Sequence, residues 1–306
     1  MKEKIALVLS GGGARGIAHI GTIEVLLENG YEITSVAGTS MGALVGGVFA
    51  QGKLKEFKDW LIGLDQVEVL KLVDITLKPS GLIKGEKVLA RMQEFIPDTN
   101  IEDLPIPYSA SAVDIVHHKE VVFRSGSLYD AIRASIAIPT VFTPVRKNGG
   151  ILVDGGVMNN VPISNVTRTE GDILVVVYVN ANIPIQKPRR TKAEEKEQKT
   201  GQRNWLKGFS NYLHINHPKD KKESLGFISI IDNTLTTAML KQAQLSIEQG
   251  KPDILINISR ASCGTYDFYK AKELVEIGRM AAENALQQIK SGQKQIPGNN
   301  MSVSNA

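Results

Sequence analysis

Short apolar runs that stop at glycines and hand over to helix-spaced segments recur along this chain, and they leave few architectures open. Ile5-Ala-Leu-Val-Leu9 stops at Ser10 and three glycines, the pattern of a buried strand ending in a tight turn. Arg15 to Asn29 puts Ile17, Ile20, Ile23, Leu26 and Leu27 on one helical side, and Gly30 closes it. Ile33 to Ala37 predicts a second strand, and the small-residue stretch Ser40 to Ala50 a closely packed helix. Leu54 to Leu64 and Lys84 to Phe95 read as amphipathic helices. Tyr108 to Val116 and Glu120 to Phe123 read as a strand pair, and Tyr129 to Ile138 as a helix ended by Pro139. Strands over Ile151 to Val153 and Ile173 to Val179 follow. A helix over Leu235 to Gln249, a strand over Asp253 to Ile258 and a long helix over Asp267 to Ile289 complete the pattern. Such alternation predicts an α/β protein with a mainly parallel sheet covered on both faces.

Charge is not spread evenly along the chain. The total is 36 Lys and Arg against 32 Asp and Glu in 306 residues, a net +4. Lys187 to Lys222 alone holds 11 basic and 4 acidic residues, so the rest carries 25 against 28. The basicity therefore belongs to one segment, which argues against a basic face built for nucleic acid. Residues 183–224 are polar and poor in branched apolar side chains, and are expected to be a mobile insertion in one domain spanning 1–290. In that domain the core motifs occupy 5–180, and 225–290 supply the last strand and helices. Residues 291–306 are expected to be a disordered tail. The lone Cys263 excludes an internal disulfide and a cysteine-rich metal site. No apolar run reaches the roughly 18 residues of a membrane span, and Ile5 to Leu9 is too short for a signal-peptide core, so a cytoplasmic protein is expected.

Three motifs carry chemistry. Gly11-Gly-Gly-Ala-Arg-Gly16 follows a strand and opens a helix, so its backbone N–H groups form an anion site. It also fits G-x-G-x-x-G. A dinucleotide reading, however, needs an acid at the end of the next strand, and Glu32 lies before that strand instead. Gly38-Thr-Ser-Met-Gly42 is G-x-S-x-G between strand and helix, the context that lifts a nucleophilic serine above a sheet. Its bland alternative is a glycine-rich turn with Ser40 as helix N-cap. A serine nucleophile needs a base and an oxyanion site. None of the five histidines (His19, His117, His118, His214, His217) falls in a loop after a late core strand. Asp154, in Val153-Asp-Gly-Gly156, is the better base, although Asp-Gly is also a common turn.

The chain resembles the patatin-like phospholipase family, in particular its bacterial single-domain members. The matching residues are Gly11 to Gly16, Gly38 to Gly42, Ala134-Ser-Ile-Ala-Ile-Pro139 with Phe142 and Pro144, and Asp154-Gly-Gly156 with Asn160 and Pro162. Ile258-Ser-Arg260 through Asp267 to the last helix is also similar to bacterial members. The resemblance implies a three-layer α/β/α fold and a serine acyl-ester hydrolase acting on phospholipid, lysophospholipid or another fatty-acyl ester. It implies a Ser40–Asp154 dyad that works without histidine, metal or cofactor. The oxyanion hole would lie in the glycine loop, with the N–H groups of Gly12 and Gly13 as donors, Gly11, Gly16 and Arg15 beside them, and Gly38 and Gly42 shaping the elbow. Arg15 would favour an anionic transition state or pair with an acid that braces the loop. The alternative in another class is a lipid-binding or regulatory protein with little turnover.

A lipid hydrolase must reach an interface. Trp205, Leu206, Phe209, Tyr212 and Leu213 would form one stripe on a helix, flanked by Arg203, Lys207 and the run Lys219 to Lys222. Aromatic and basic residues together suit an anionic membrane surface, so peripheral contact with the inner membrane surface through 187–222 is expected.

Overall fold

The computed structural model describes residues 2–72, 85–185 and 227–292. The basic segment over 187–222, with the expected stripe from Trp205 to Leu213, and the expected tail from residue 293 lie outside the described residues.

Eight strands form one sheet. They are β1 (Lys4–Leu9), β2 (Glu32–Thr39), β3 (Tyr108–Asp114), β4 (Lys119–Phe123), β5 (Val145–Lys147), β6 (Gly150–Asp154), β7 (Ile173–Ala181) and β8 (Ile254–Ser259). Their order is β5-β6-β3-β2-β1-β7-β8, with β4 also paired to β3. The run from β3 to β8 is parallel, while β4, β5 and β6 pair antiparallel. The sheet is thus mixed and mainly parallel.

The central strands are apolar throughout because both faces are covered. Ile5, Leu7 and Leu9 of β1 join one core, with Val175, Val177 and Val179 of β7. Ala6 and Val8 join a second core on the opposite face, with Leu174, Val176 and Tyr178. Each fully buried Ile or Leu contributes about 1.5–3 kcal/mol relative to exposure, so this two-sided burial is the main support of the sheet.

Helices α1 (Ala18–Glu28), α2 (Met41–Ala50), α3 (Leu54–Gly63), α4 (Gln66–Leu72), α5 (Glu86–Gln93) and α6 (Leu128–Ser135) precede the short α7 (Gly156–Asn159). After the basic segment come α8 (Phe227–Gly250) and α9 (Ala271–Lys290). Side chains of α1, α2, α3, α5, α6 and α9 fill the first core. The second face is covered in part by α8, through Ala243 and Ile247. The layers are therefore helix, sheet and helix. Glycines let α1 and α9 touch: a methyl at Gly21 would collide with the Val275 carbonyl, and one at Gly278 with the Ala18 carbonyl.

Several boundaries differ from the sequence expectation. The turn Gly13–Ile17 is a 3-10 segment, so the first α-helix starts at Ala18, not Arg15. β3 ends at Asp114, whose carboxylate accepts the N–H groups of Val116 and His117 and turns the chain early. This leaves Ile115 and Val116 exposed at the hairpin tip despite their apolar character. Within the described residues α8 starts at Phe227, ahead of the expected Leu235, although Ser229, Asn233 and Thr234 are weak helix formers. The short β5, α4 and α7 went unread.

Candidate active site

The sheet topology brings two distant motifs together. β4 pairs with β3 over Ala110 to Asp114 and so occupies one of its edges. The other edge is shared. Parallel β2 pairs there up to Thr39–Ser111, and antiparallel β6 pairs there from Asp154–Ala112. The two strands meet end to end, and the residue after Thr39 and the last residue of β6 become neighbours. Those residues are Ser40 and Asp154.

Ser40 has φ 56° and ψ −126°. A non-glycine residue held there costs on the order of 1–3 kcal/mol and persists only where its surroundings enforce it. The enforcing bonds are visible. The Ser40 N–H donates to Ser135 Oγ at 2.9 Å, and that hydroxyl donates to the Ser111 carbonyl at 2.6 Å. Thr39 Oγ1 donates to the Asn159 carbonyl at 2.7 Å. The two flanking glycines serve contact: a methyl at Gly38 would run into the Gly42 carbonyl, and one at Gly42 into the Leu9 carbonyl. Gly42→Ala is therefore expected to lower stability by about 1–3 kcal/mol, as overpacking does. Denaturant unfolding measures this, and an unchanged midpoint would show that the contact gives way freely. Ser40 stands at the N-cap of α2, yet its side chain makes no capping hydrogen bond. The hydroxyl is thus not spent on the helix.

Asp154 is 3% exposed. Its Oδ1 accepts the Gly156 N–H at 2.8 Å, the local turn that Asp-Gly sequences favour. Its Oδ2 is buried and bonds to no group among the described residues. Burial pushes its pKa from the ordinary 3.8 up to about 6, and the nearby Ser40 hydroxyl and the Gly156 N–H draw it back only in part.

The glycine loop lies beside them. Gly11 donates its N–H to the Asn160 carbonyl at 3.0 Å, and Ala14 donates to the Thr265 carbonyl at 2.8 Å. Among the described residues the N–H groups of Gly12 and Gly13 donate to no protein acceptor. The Gly11 N–H thus anchors the loop. Gly16 packs on Met41, whose Cβ would lie 2.6 Å from a methyl there, and it does not line the cavity. Arg15 Nε donates to Asn180 Oδ1 at 3.0 Å and its Nη1 to the Cys263 carbonyl at 3.2 Å. Asn180 Nδ2 in turn donates to the Gly11 carbonyl at 2.7 Å. Arg15 thus braces the loop through an amide and a carbonyl.

A cavity of about 150 Å³ joins these groups. Gly11, Gly12, Gly13, Arg15, Ser40 and Asp154 line one part of it. Ile138, Val157, Leu235, Met239 and Leu240 form an apolar wall, the last three from α8. Among the described residues no histidine lines it. His19 lies buried under the loop, bonded through Nε2 to the Ser10 carbonyl at 2.8 Å, and burial pulls its pKa down to about 4. Among the described residues no group of three or more His, Cys, Asp or Glu could hold a metal, and no helix is long and apolar enough to cross a membrane. Sequence reasoning missed Ser135, Ser111 and Asn180. Ser135 sits inside a quoted motif, whereas nothing near Asn180 in the chain marks it.

A protein-family model described as patatin-like phospholipase matches residues 7–167. An uncharacterised NTE-family protein of Mycobacterium tuberculosis is 32% identical over 332 residues, covering 93% of this chain and 91% of that protein. Lysophospholipase NTE1 of Cryptococcus neoformans is 35% identical over 184 residues, covering 57% of this chain and 11% of that much longer protein. Among solved structures, VipD from Legionella pneumophila aligns with a TM-score of 0.46 and 14% identity, over 94% of this chain and 67% of that one.

Proposed function

Because the chain belongs to the patatin-like phospholipase family, we propose that it is a serine hydrolase of lipid acyl esters whose working pair is Ser40 and Asp154. The observation that carries this reading is the strained Ser40, with its hydroxyl free of the helix, beside a buried carboxylate that has one unpaired oxygen. In this mechanism Ser40 Oγ attacks the ester carbonyl while Asp154 Oδ2 takes its proton. The N–H groups of Gly12 and Gly13 receive the developing oxyanion, the kind of preorganised stabilisation that supplies much of a rate enhancement. Asp154 then gives its proton to the leaving alcohol. Water attacks the acyl-serine next, with Asp154 again as base. Its raised pKa makes Asp154 a stronger base than a free carboxylate, and it remains mostly ionised at neutral pH.

The apolar wall supplied by α8 and Val157 suits an acyl chain. With a lysophospholipase among the relatives, phospholipid and lysophospholipid are the substrates of choice. The catalytic unit is taken as 1–290, since β8 and α9 complete the same sheet and core after the basic segment. Contact with an anionic membrane surface is assigned to 187–222. Removing that segment is expected to lower binding to anionic vesicles by about 1 kcal/mol for each basic residue near the surface. Equal binding in a vesicle co-sedimentation assay would end that assignment. The hydrolase reading is tested by release of p-nitrophenol from a p-nitrophenyl acyl ester and of fatty acid from lysophospholipid. A chain that binds the lipid and releases neither product would instead be a lipid-binding protein.

A further inference from the structure

Asn160 is secured through its backbone and unspent in its side chain. Its carbonyl accepts the Gly11 N–H at 3.0 Å, and its own N–H donates to Gln242 Oε1 on α8 at 3.2 Å. The residue is only 2% exposed, yet its Oδ1 bonds to no group among the described residues. Buried polar atoms are almost always bonded, so an orphan acceptor calls for a donor that arrives with the reaction. Asp154 Oδ2 is a second such orphan.

The two lie on one cavity with Ser40. A methyl at Gly11 would stand 2.6 Å from Asn160 Oδ1 and 3.2 Å from Ser40 Cβ. A methyl at Gly156 would stand 3.0 Å from Asp154 Oδ1 and 3.9 Å from Asn160 Cγ. Asn160 thus packs between the serine and the carboxylate. Ser40 has a single O–H and can satisfy one acceptor at most. The complement of two unpaired acceptors on one cavity is a molecule that donates twice.

We propose that Asn160 Oδ1 and Asp154 Oδ2 together hold the water that hydrolyses the acyl-Ser40 ester. This rests on the Ser40–Asp154 reading above. With both O–H bonds directed at the two acceptors, the oxygen lone pairs are left for the acyl carbon. The water oxygen bonds to that carbon, and one water proton passes to Asp154 while Asn160 keeps hold of the other O–H. Collapse breaks the carbon–Oγ bond, Asp154 returns its proton to Ser40 Oγ, and the free carboxylic acid leaves. The first half-reaction needs no such water, so Asn160 serves only the second.

The test is rapid-quench turnover of a p-nitrophenyl acyl ester by wild type, Asn160→Ala and Asn160→Leu. Leu keeps the shape and loses the oxygen. Both variants are expected to release one equivalent of p-nitrophenol in a burst and then turn over about 10- to 100-fold more slowly, the scale of a misplaced reactant. Mass mapping is expected to find the acyl group accumulating on the Ser40 peptide. Fluorophosphonate labelling of Ser40, which reports only the first half-reaction, is expected to stay within about threefold of wild type. A purely structural role would slow labelling and turnover together, and that result, or variants in which no acyl group accumulates, would overturn the assignment. If wild type itself neither turns over nor labels at Ser40, the hydrolase reading has failed. If wild type does both and the variants partition as it does, only the role of Asn160 has failed.

Discussion

Ser40→Ala is expected to lower kcat for p-nitrophenyl ester hydrolysis by about 10⁴-fold or more, because removing a serine nucleophile leaves only binding and oxyanion stabilisation. The fold should survive. Alanine at φ 56° meets the same backbone cost as serine, and the Ser40 side chain makes no capping hydrogen bond that the helix would miss. The anchor that matters structurally is the Ser40 N–H to Ser135, which alanine retains. The variant should therefore unfold at nearly the wild-type denaturant midpoint while its rate collapses. A variant that keeps more than about a tenth of the wild-type rate would remove Ser40 from the chemistry.

Asp154→Asn is expected to move activity and stability in opposite directions. The rate should fall by about 10³-fold or more, since the amide cannot take the Ser40 proton. Stability should rise. Between the ordinary 3.8 and about 6 the folded chain holds the Asp154 proton more tightly than the unfolded chain does. The carboxyl therefore draws stability down as pH rises through that window, and the full loss is present above it. Removing the charge is expected to recover up to about 3 kcal/mol at pH 8, at 1.36 kcal/mol per pKa unit, and almost nothing below pH 4. The asparagine carbonyl can still accept the Gly156 N–H. The same shift fixes the acid limb of kcat/KM in the wild type near pH 6. A limb near pH 4, or a variant less stable at pH 8, would mean that Asp154 is not the buried carboxylate of raised pKa described.

Much of the architecture was legible because burial leaves a direct mark on composition. β1 and β7 are apolar at every central position because helices cover both faces, and such runs cannot be confused with half-exposed strands. The glycines of Gly38 to Gly42 were legible as a sharp turn, and the structure adds that contact with the Leu9 and Gly42 carbonyls demands them. The approach of Ser40 to Asp154 was not legible from spacing. It depends on β2 and β6 sharing one edge of β3, and strand order has no local signature. The residue types made Asp154 a candidate base for Ser40, and the resemblance to a known family paired the two as a dyad. The raised pKa of Asp154 was not legible for a related reason: desolvation exists only once the fold is closed. The supports of the glycine loop were hidden too. Asn180 reaches Gly11 and Arg15 from the end of β7, across the sheet and far along the chain.

The measurement that bears most directly on the central claim is mass mapping after reaction with a fluorophosphonate, run in parallel with the ester assay. One phosphonyl group per chain is expected, located on Ser40, with ester hydrolysis lost in proportion to labelling. Hydrolysis that continues after Ser40 is fully labelled, or a label that settles on another residue while activity disappears, would contradict it.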